Sequence, residues 1–339
     1  MSSKSHVPRA LTIAGSDSGG GAGIQADLKT FQELGVYGMS AITAITVQNT
    51  LGVHGVYPLP PEAAAEQIEA VGSDLGVDAL KTGMLFNAEI IRLAADRIRA
   101  FGWEKVVVDP VMIAKGGAEL LQSEAVQALR EDLLPLALIV TPNIPEAEVL
   151  AGMRIRTKED RKEAARRIQD LGPKIVVIKG GHDEGMTGGG EVADHERDRG
   201  SAMAAGTQQE ELSQSESTYR QTRTASHNGE FYEGRSPMIK NDDRFGNPDS
   251  PSVMDLVYDG IAFTELYGQR IHTVHTHGTG CTFSAAITAG LAKGLSAFDA
   301  IQNGRTFIQA AIEDGLNLGQ GHGPTNHWAY RRRHQEVLR

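Results

Sequence analysis

The chain has 339 residues, 40% hydrophobic and 22% charged, which suits a globular protein with a sizeable core and excludes a fibrous, collagen-like or wholly unfolded polypeptide. A formal net charge of -10 works against non-specific binding of nucleic acid, and the one basic cluster, Arg331 to Arg333, reads as a short solvated tail. No apolar run approaches the roughly 20 residues that cross a bilayer, the start MSSKSHVPRAL lacks the apolar centre of a secretory signal, and the single cysteine, Cys281, excludes an internal disulfide framework and a multi-cysteine zinc site; the expectation is a soluble, cytoplasmic protein with no nucleic-acid or membrane partner.

Along the chain, short apolar runs alternate with amphipathic stretches. ALTIAG, SAITAITVQ, DALKTGM, KVVVDPVM, LALIVTPN and KIVVIKGG each read as a buried strand bounded by Gly, Pro or Asn. Between the first two, Ile24, Leu28, Phe31 and Leu34 recur at helical spacing and Gly35 stands where a left-handed cap is expected. Such alternation with near-continuous apolar strands predicts an α/β fold, a mostly parallel sheet covered by helices on both faces.

The first strand runs into GSDSGGGAGIQAD, Gly15 to Asp27. Its glycines let backbone approach a ligand, and a helix starting near Ala22 would aim free N–H groups and a positive dipole end at whatever sits there. Gly19, Gly21 and Gly23 alternate, so the G-x-G-x-x-G spacing of a dinucleotide site is not met, and a tight strand-to-helix crossing explains the glycines but not Asp17 and Asp27. No Gly-Lys-Ser/Thr occurs anywhere, which removes a Walker A loop. Asp109, at the end of KVVVDPVM, either shares a metal ion or its waters or caps a turn before Pro110. In TPNIPEAEVL, Asn143 and Glu146 could hold a hydrated Mg2+, although the same pair at this spacing makes an ordinary capping box. Lys179, ending VIKGGH, either meets a phosphate or is a solvated lysine.

From about 185 to 252 the composition turns to Gly, Ser, Gln, Thr, Glu and Arg with few large aliphatics. Such a segment cannot bury enough apolar surface to offset the entropy of ordering it and is expected to be a disordered insertion within a single 1–339 domain. MDLVYDG and IAFTELYG then read as a hairpin with Asp259-Gly260 at the turn. In THGTGCTFSAAITAGLA, Gly278, Thr279 and Gly280 precede Cys281 and an apolar helix. Consecutive backbone N–H groups at such a junction suit the charge developing on a transferring phosphoryl group, and the helix end is expected to lower the pKa of Cys281. All these candidates fall at the C-terminal ends of strands or the helix starts that follow, where open α/β sheets bind ligands.

These motifs, with TAITVQNTLGV, KTGML and GHGPTNHW, resemble in order and spacing the hydroxymethylpyrimidine/phosphomethylpyrimidine kinases of thiamine biosynthesis, within the ribokinase-like superfamily. The resemblance covers nearly everything except the insertion. It implies a three-layer α/β/α sandwich, ATP with Mg2+ as phosphoryl donor, a homodimer, and transfer to 4-amino-5-hydroxymethyl-2-methylpyrimidine and then to its monophosphate. It places Gly15, Asp27, Gln48 and Met84 around the pyrimidine, Asn143, Glu146 and Lys179 at the nucleotide, Asp109 and Glu146 at Mg2+, Gly278 to Gly280 in the anion hole and Cys281 as base. The nearest rival is a pyridoxal or pyridoxine kinase, whose substrate is also a heteroaromatic ring bearing a hydroxymethyl group. A nicotinamide-dependent oxidoreductase and a catalytically silent binder are more distant alternatives.

Overall fold

The structure is a computed structural model that describes residues 6–112, 123–180 and 252–336, the side chains as far as 333. The insertion expected at about 185–252 lies outside the described residues apart from Ser252, and the described residues form part of one compact unit. In chain order the strands are β1 (Arg9–Asp17), β2 (Tyr37–Asn49), β3 (Gly52–Pro58), β4 (Ala79–Thr82), β5 (Val106–Val108), β6 (Ile139–Val140), β7 (Ile175–Ile178), β8 (Ser252–Tyr258) and β9 (Phe263–Gln269). The helices are α1 (Gly23–Glu33), α2 (Pro61–Asp74), α3 (Ala88–Phe101), α4 (Ser123–Ala128), α5 (Ile144–Ala151), α6 (Lys158–Gln169), α7 (Thr279–Ala292), α8 (Ala297–Glu313) and α9 (Ala329–Glu336).

All nine strands join one sheet in the order β3-β2-β1-β4-β5-β6-β7-β8-β9. The six from β2 to β7 in that order run parallel, while β3 at one edge and β8 and β9 at the other are antiparallel additions. Alternation along each strand divides the apolar residues between two cores. Val106 and Val108 pack with α2 to α6 on one face, whereas Val107 joins Ala10, Ala79, Ile139 and Val177 under α1, α7 and α8 on the other. The three-layer expectation is met, and all six sequence-predicted strands are present.

Local signals account for most boundaries. Asn87 caps α3 by accepting from the Ile90 N–H, and Gly102 ends that helix at φ 62°, a left-handed conformation glycine adopts without a Cβ penalty. The β8–β9 hairpin turns at Asp259-Gly260 as expected, with Asp259 Oδ1 accepting from the N–H groups of Ile261 and Ala262. Strand β3 was not anticipated: GVHGVYP has no fully buried residue and hence no buried-strand periodicity, and it forms because β2 offers it a free edge.

Candidate active site

The alternation that builds the second core also assembles the site. Counting two residues on from Ala10, Ala79, Val107, Ile139 and Val177 reaches Thr12, Lys81, Asp109, Thr141 and Lys179, so these polar residues share the α7 side of the sheet near the C-terminal ends of adjacent strands. Lys81 and Asp27 are both fully buried: the Lys81 ammonium donates to Asp27 Oδ1 at 3.0 Å and Oδ2 at 3.1 Å, and Thr12 Oγ1 donates to Oδ2 at 2.6 Å. Burial alone would push the Lys81 pKa down, but the Asp27 charge, with Cys281 and Asp109 adding, holds it above its ordinary value. Asp27, expected beside the pyrimidine, has an enclosed carboxylate whose partners within the chain are Lys81 and Thr12. Lys81 is the residue the sequence reading missed here; it stood in the KTGML motif, with nothing local to mark its pairing.

The glycine loop also corrects an expectation. Its N–H groups are not free for a ligand. Asp17 Oδ1 accepts from Gly19 N at 2.8 Å, and Oδ2 accepts from Gly21 N at 3.0 Å and Ala22 N at 2.8 Å, so the start of α1 is occupied by an anion of the chain itself. Burial opposes this charge, but the hydrogen bond from His277 and the backbone donors outweigh it and hold the Asp17 pKa below the usual carboxylate range. Gly15 and Met84 lie against each other, a Cβ on Gly15 running into Met84 Cε, and Gln48 is half-buried near the end of β2. Along β2 the alternation that exposes Ile45 and Val47 turns Thr46 and half-buried Gln48 to the other face, and the pairing with β3 shifts register between Val47 and Gln48.

At α7, Gly278 caps the helix at φ 80° without a side-chain cap, and in the first turn the Thr279 N–H donates to the Thr276 carbonyl at 3.4 Å. A Cβ on Gly278 would collide with the Gly21 carbonyl, so the two glycine loops touch backbone to backbone. A Cβ on Gly280 would sit 3.4 Å from Lys179 Nζ and 3.6 Å from Asp109 Oδ2, which places the helix end directly over that pair. Lys179 donates to Asp109 Oδ1 at 2.9 Å and lies 4.0 Å from Glu146 Oε2; Thr141 Oγ1 and Ser284 Oγ each donate to Asp109 at 3.3 Å. Asn143 and Glu146 form the full capping box of α5, Glu146 Oε2 accepting from Asn143 N at 2.8 Å and Asn143 Oδ1 from Glu146 N at 2.9 Å. Burial, with Asp109 adding its charge, pushes Glu146 up to about 7 against the pull of Lys179 and the Asn143 and Met112 N–H groups. Asp109 goes the other way: burial is outweighed by Lys179 and Lys81.

The expected lowering of the Cys281 pKa is overturned. Burial pushes the thiol up to about 11, and Asp27 and Asp109 add to the rise, against Lys81 and the Gly23 N–H. Cys281 is half-buried, and the enclosure of its sulfur together with Asp27 and Asp109 outweighs the helix end and the nearby Lys81 ammonium, which favours the thiol over the thiolate at pH 7.

The chain matches known proteins over nearly its whole length. The phosphomethylpyrimidine kinase family profile matches residues 17–225 and 233–326. A hydroxymethylpyrimidine/phosphomethylpyrimidine kinase of Bacillus subtilis is 45% identical over 96% of this chain and 97% of its own length, and one of Haemophilus influenzae is 46% identical over 97% and 99%. Among solved structures, the pyridoxal kinase of Staphylococcus aureus in complex with AMP-PCP and pyridoxal is similar with a TM-score of 0.72 and 35% identity, covering 96% of each chain.

Proposed function

The chain belongs to the phosphomethylpyrimidine kinase family, and on that premise we propose that it transfers the γ-phosphoryl group of ATP to the hydroxymethyl group of 4-amino-5-hydroxymethyl-2-methylpyrimidine, and then to the resulting monophosphate, in thiamine biosynthesis. The observation that carries this reading is the placement of the α7 helix end over the Lys179–Asp109 pair and beside Cys281.

Phosphoryl transfer asks a protein for positioning and for stabilisation of charge more than for covalent chemistry. In this reading the first-turn N–H groups of α7, at Gly278 to Gly280, face the oxygens of the transferring group, and Lys179 meets the nucleotide phosphates. Asn143 and Glu146 shape the nucleotide side by capping α5. Gly15, Gln48 and Met84 line the ring of the acceptor, whose amino group and ring nitrogens offer Gln48 both donors and acceptors. Cys281 takes the hydroxyl proton. It can do so only as the thiolate, which becomes the neutral thiol as the hydroxyl oxygen bonds phosphorus; with a pKa of about 11 that thiolate is a strong base but a minor species at pH 7, and the Lys81 ammonium favours it.

Asp109 and Glu146 both lie beside Lys179, with Lys81 also acting on Asp109, and hard oxygen donors of this kind suit Mg2+. Asp109 and Glu146 would hold that ion through water, since Glu146 is already engaged by backbone N–H groups. When bound it would neutralise charge on the nucleotide phosphates.

A homodimer is part of the same reading, supported by Ile45, Val47, Leu51 and Tyr57, which are large, apolar and 39 to 66% exposed around the β2–β3 edge; light scattering at micromolar concentration tests it. Among the described residues no helix is long and apolar enough to cross a membrane, and an ATP-dependent kinase is expected in the cytoplasm. The decisive assay offers Mg-ATP with the pyrimidine, its monophosphate and pyridoxal in parallel, reading ADP release and product masses. Monophosphate and diphosphate products are expected from the pyrimidine. Turnover of pyridoxal alone would overturn the substrate while keeping the chemistry.

A further inference from the structure

His277 takes no part in the chemistry above, yet its Nε2 lies between two groups on the acceptor side, 2.8 Å from Asp17 Oδ2 and 3.2 Å from the end of the Gln48 amide. Which amide atom faces it follows from the hydrogen-bond network, because the oxygen and nitrogen of an amide are distinguished by their partners. Asp17 Oδ2 already accepts from Gly21 N and Ala22 N, and a carboxylate only accepts, so the hydrogen between Asp17 and His277 sits on Nε2. An amide NH2 cannot face that N–H. At the other end, Thr46 Oγ1 has one hydrogen, which goes to Ser16 O at 2.8 Å, so it meets Gln48 at 3.2 Å as an acceptor. In the structure the amide nitrogen faces His277 and the oxygen faces Thr46; both neighbours ask for the reverse orientation, with NH2 donating to Thr46 and Oε1 taking a share of the one Nε2–H that Asp17 holds. The backbone beneath is fixed as well: Gln48 N donates to Ser18 Oγ at 2.9 Å, and Ser18 Oγ donates back to Gln48 O at 2.7 Å.

Resting on the reading of Gln48 as an acceptor contact, we propose that His277 is a specificity-determining positioning residue, whose single Nε2–H, donated to Asp17 and shared in a three-centre bond with the Gln48 oxygen, holds the Gln48 amide so that one acceptor lone pair and one N–H donor meet the acceptor ring in fixed places. An amide so locked discriminates a ring that presents an amino donor from one that does not, because a mismatched ring leaves a half-buried polar group unpaired. An amide free to rotate would adapt to either. The coupling spans 229 residues of sequence and ties the acceptor side to the loop that carries the anion hole.

The test compares wild type with His277→Phe, whose ring keeps the packing against Gly21 beside Pro324, and His277→Gln, whose amide NH2 can restore the donor. Each is assayed for kcat and KM on the hydroxymethyl aminopyrimidine and on its analogue with hydrogen in place of the amino group. In His277→Phe the preference for the amino compound should fall about tenfold, carried by KM with kcat within about threefold, and His277→Gln should return to within about threefold of wild type. An unchanged preference in His277→Phe, or a kcat loss shared equally by both substrates, overturns the proposal. Nitrogen-resolved NMR of His277 in the ligand-free wild-type protein gives a second reading that needs no turnover and no variant. A hydrogen on Nε2 is expected; a bare Nε2 overturns the proposal. Wild type inactive on both pyrimidines would instead overturn the functional reading, leaving the NMR result to judge His277.

Discussion

Alkylation of Cys281 tests which effect controls the active-site thiol, and with one cysteine in the chain the reaction is read on the whole protein without mapping. With a pKa of about 11, about one thiol in 10⁴ is ionised at pH 7, against about 3% for an ordinary cysteine of pKa about 8.5, a deficit of about 300-fold. The higher pKa makes the thiolate about tenfold more nucleophilic, so the net expectation is a rate about 30-fold below that of a free thiol. The assay is iodoacetamide labelling of the native protein followed by intact mass from pH 6.5 to 10.5, with guanidinium-unfolded protein as the free-thiol control. The rate should climb about tenfold per pH unit through pH 9 without levelling, a signature that restricted access alone does not produce. A plateau reached below pH 8 would mean that the α7 helix end and Lys81 outweigh burial, and the assignment of a thiolate that is only a minor species at pH 7 would fail.

Lys81→Met leaves the fully buried Asp27 carboxylate without its partner and should destabilise the fold by about 3 to 5 kcal/mol in guanidinium unfolding, with Lys81→Met combined with Asp27→Leu recovering most of that; a loss under about 1 kcal/mol would show that the pair is not buried as described. Gly278→Ala puts a Cβ into the Gly21 carbonyl at a left-handed φ of 80° and should lower kcat/KM by about 100-fold or more while circular dichroism still reports a folded protein, whereas turnover within about threefold of wild type would argue against the apposition of the two loops. Because Glu146 is raised from 4.5 to about 7 in the folded state, its contribution to stability is most favourable below pH 4.5 and is lost as pH rises through 7. Relative to Glu146→Gln, wild type should therefore lose unfolding midpoint between pH 4.5 and 7, and a pH-independent difference would contradict the assigned shift. Asn143→Ala should cost about 1 kcal/mol through the lost α5 cap, largely restored in Asn143→Asp; a rise in KM for ATP with no change in stability would make Asn143 a ligand contact rather than a cap.

The sequence by itself determined the parts that depend on neighbours a few residues apart. Near-continuous apolar runs, bounded by Gly, Pro and Asn, were enough for the parallel strands, and the Asn143–Glu146 spacing was enough for a capping box, since caps and turns are local hydrogen-bonding problems. The placement of Asp109 and Lys179 at strand ends and of Gly278 to Gly280 at a helix start was also legible from the boundaries of the apolar runs. What the tertiary structure alone decided were the pairings between distant segments: Lys81 with Asp27 across 54 residues, His277 with Asp17 across 260, and Gly278 against Gly21. No periodicity encodes such partners. They settled that Asp17 fills its own glycine loop, that Asp27 faces inward, and that Cys281 is neutral, because a pKa is set by burial and by charges brought close in space, and burial is a property of the assembled chain.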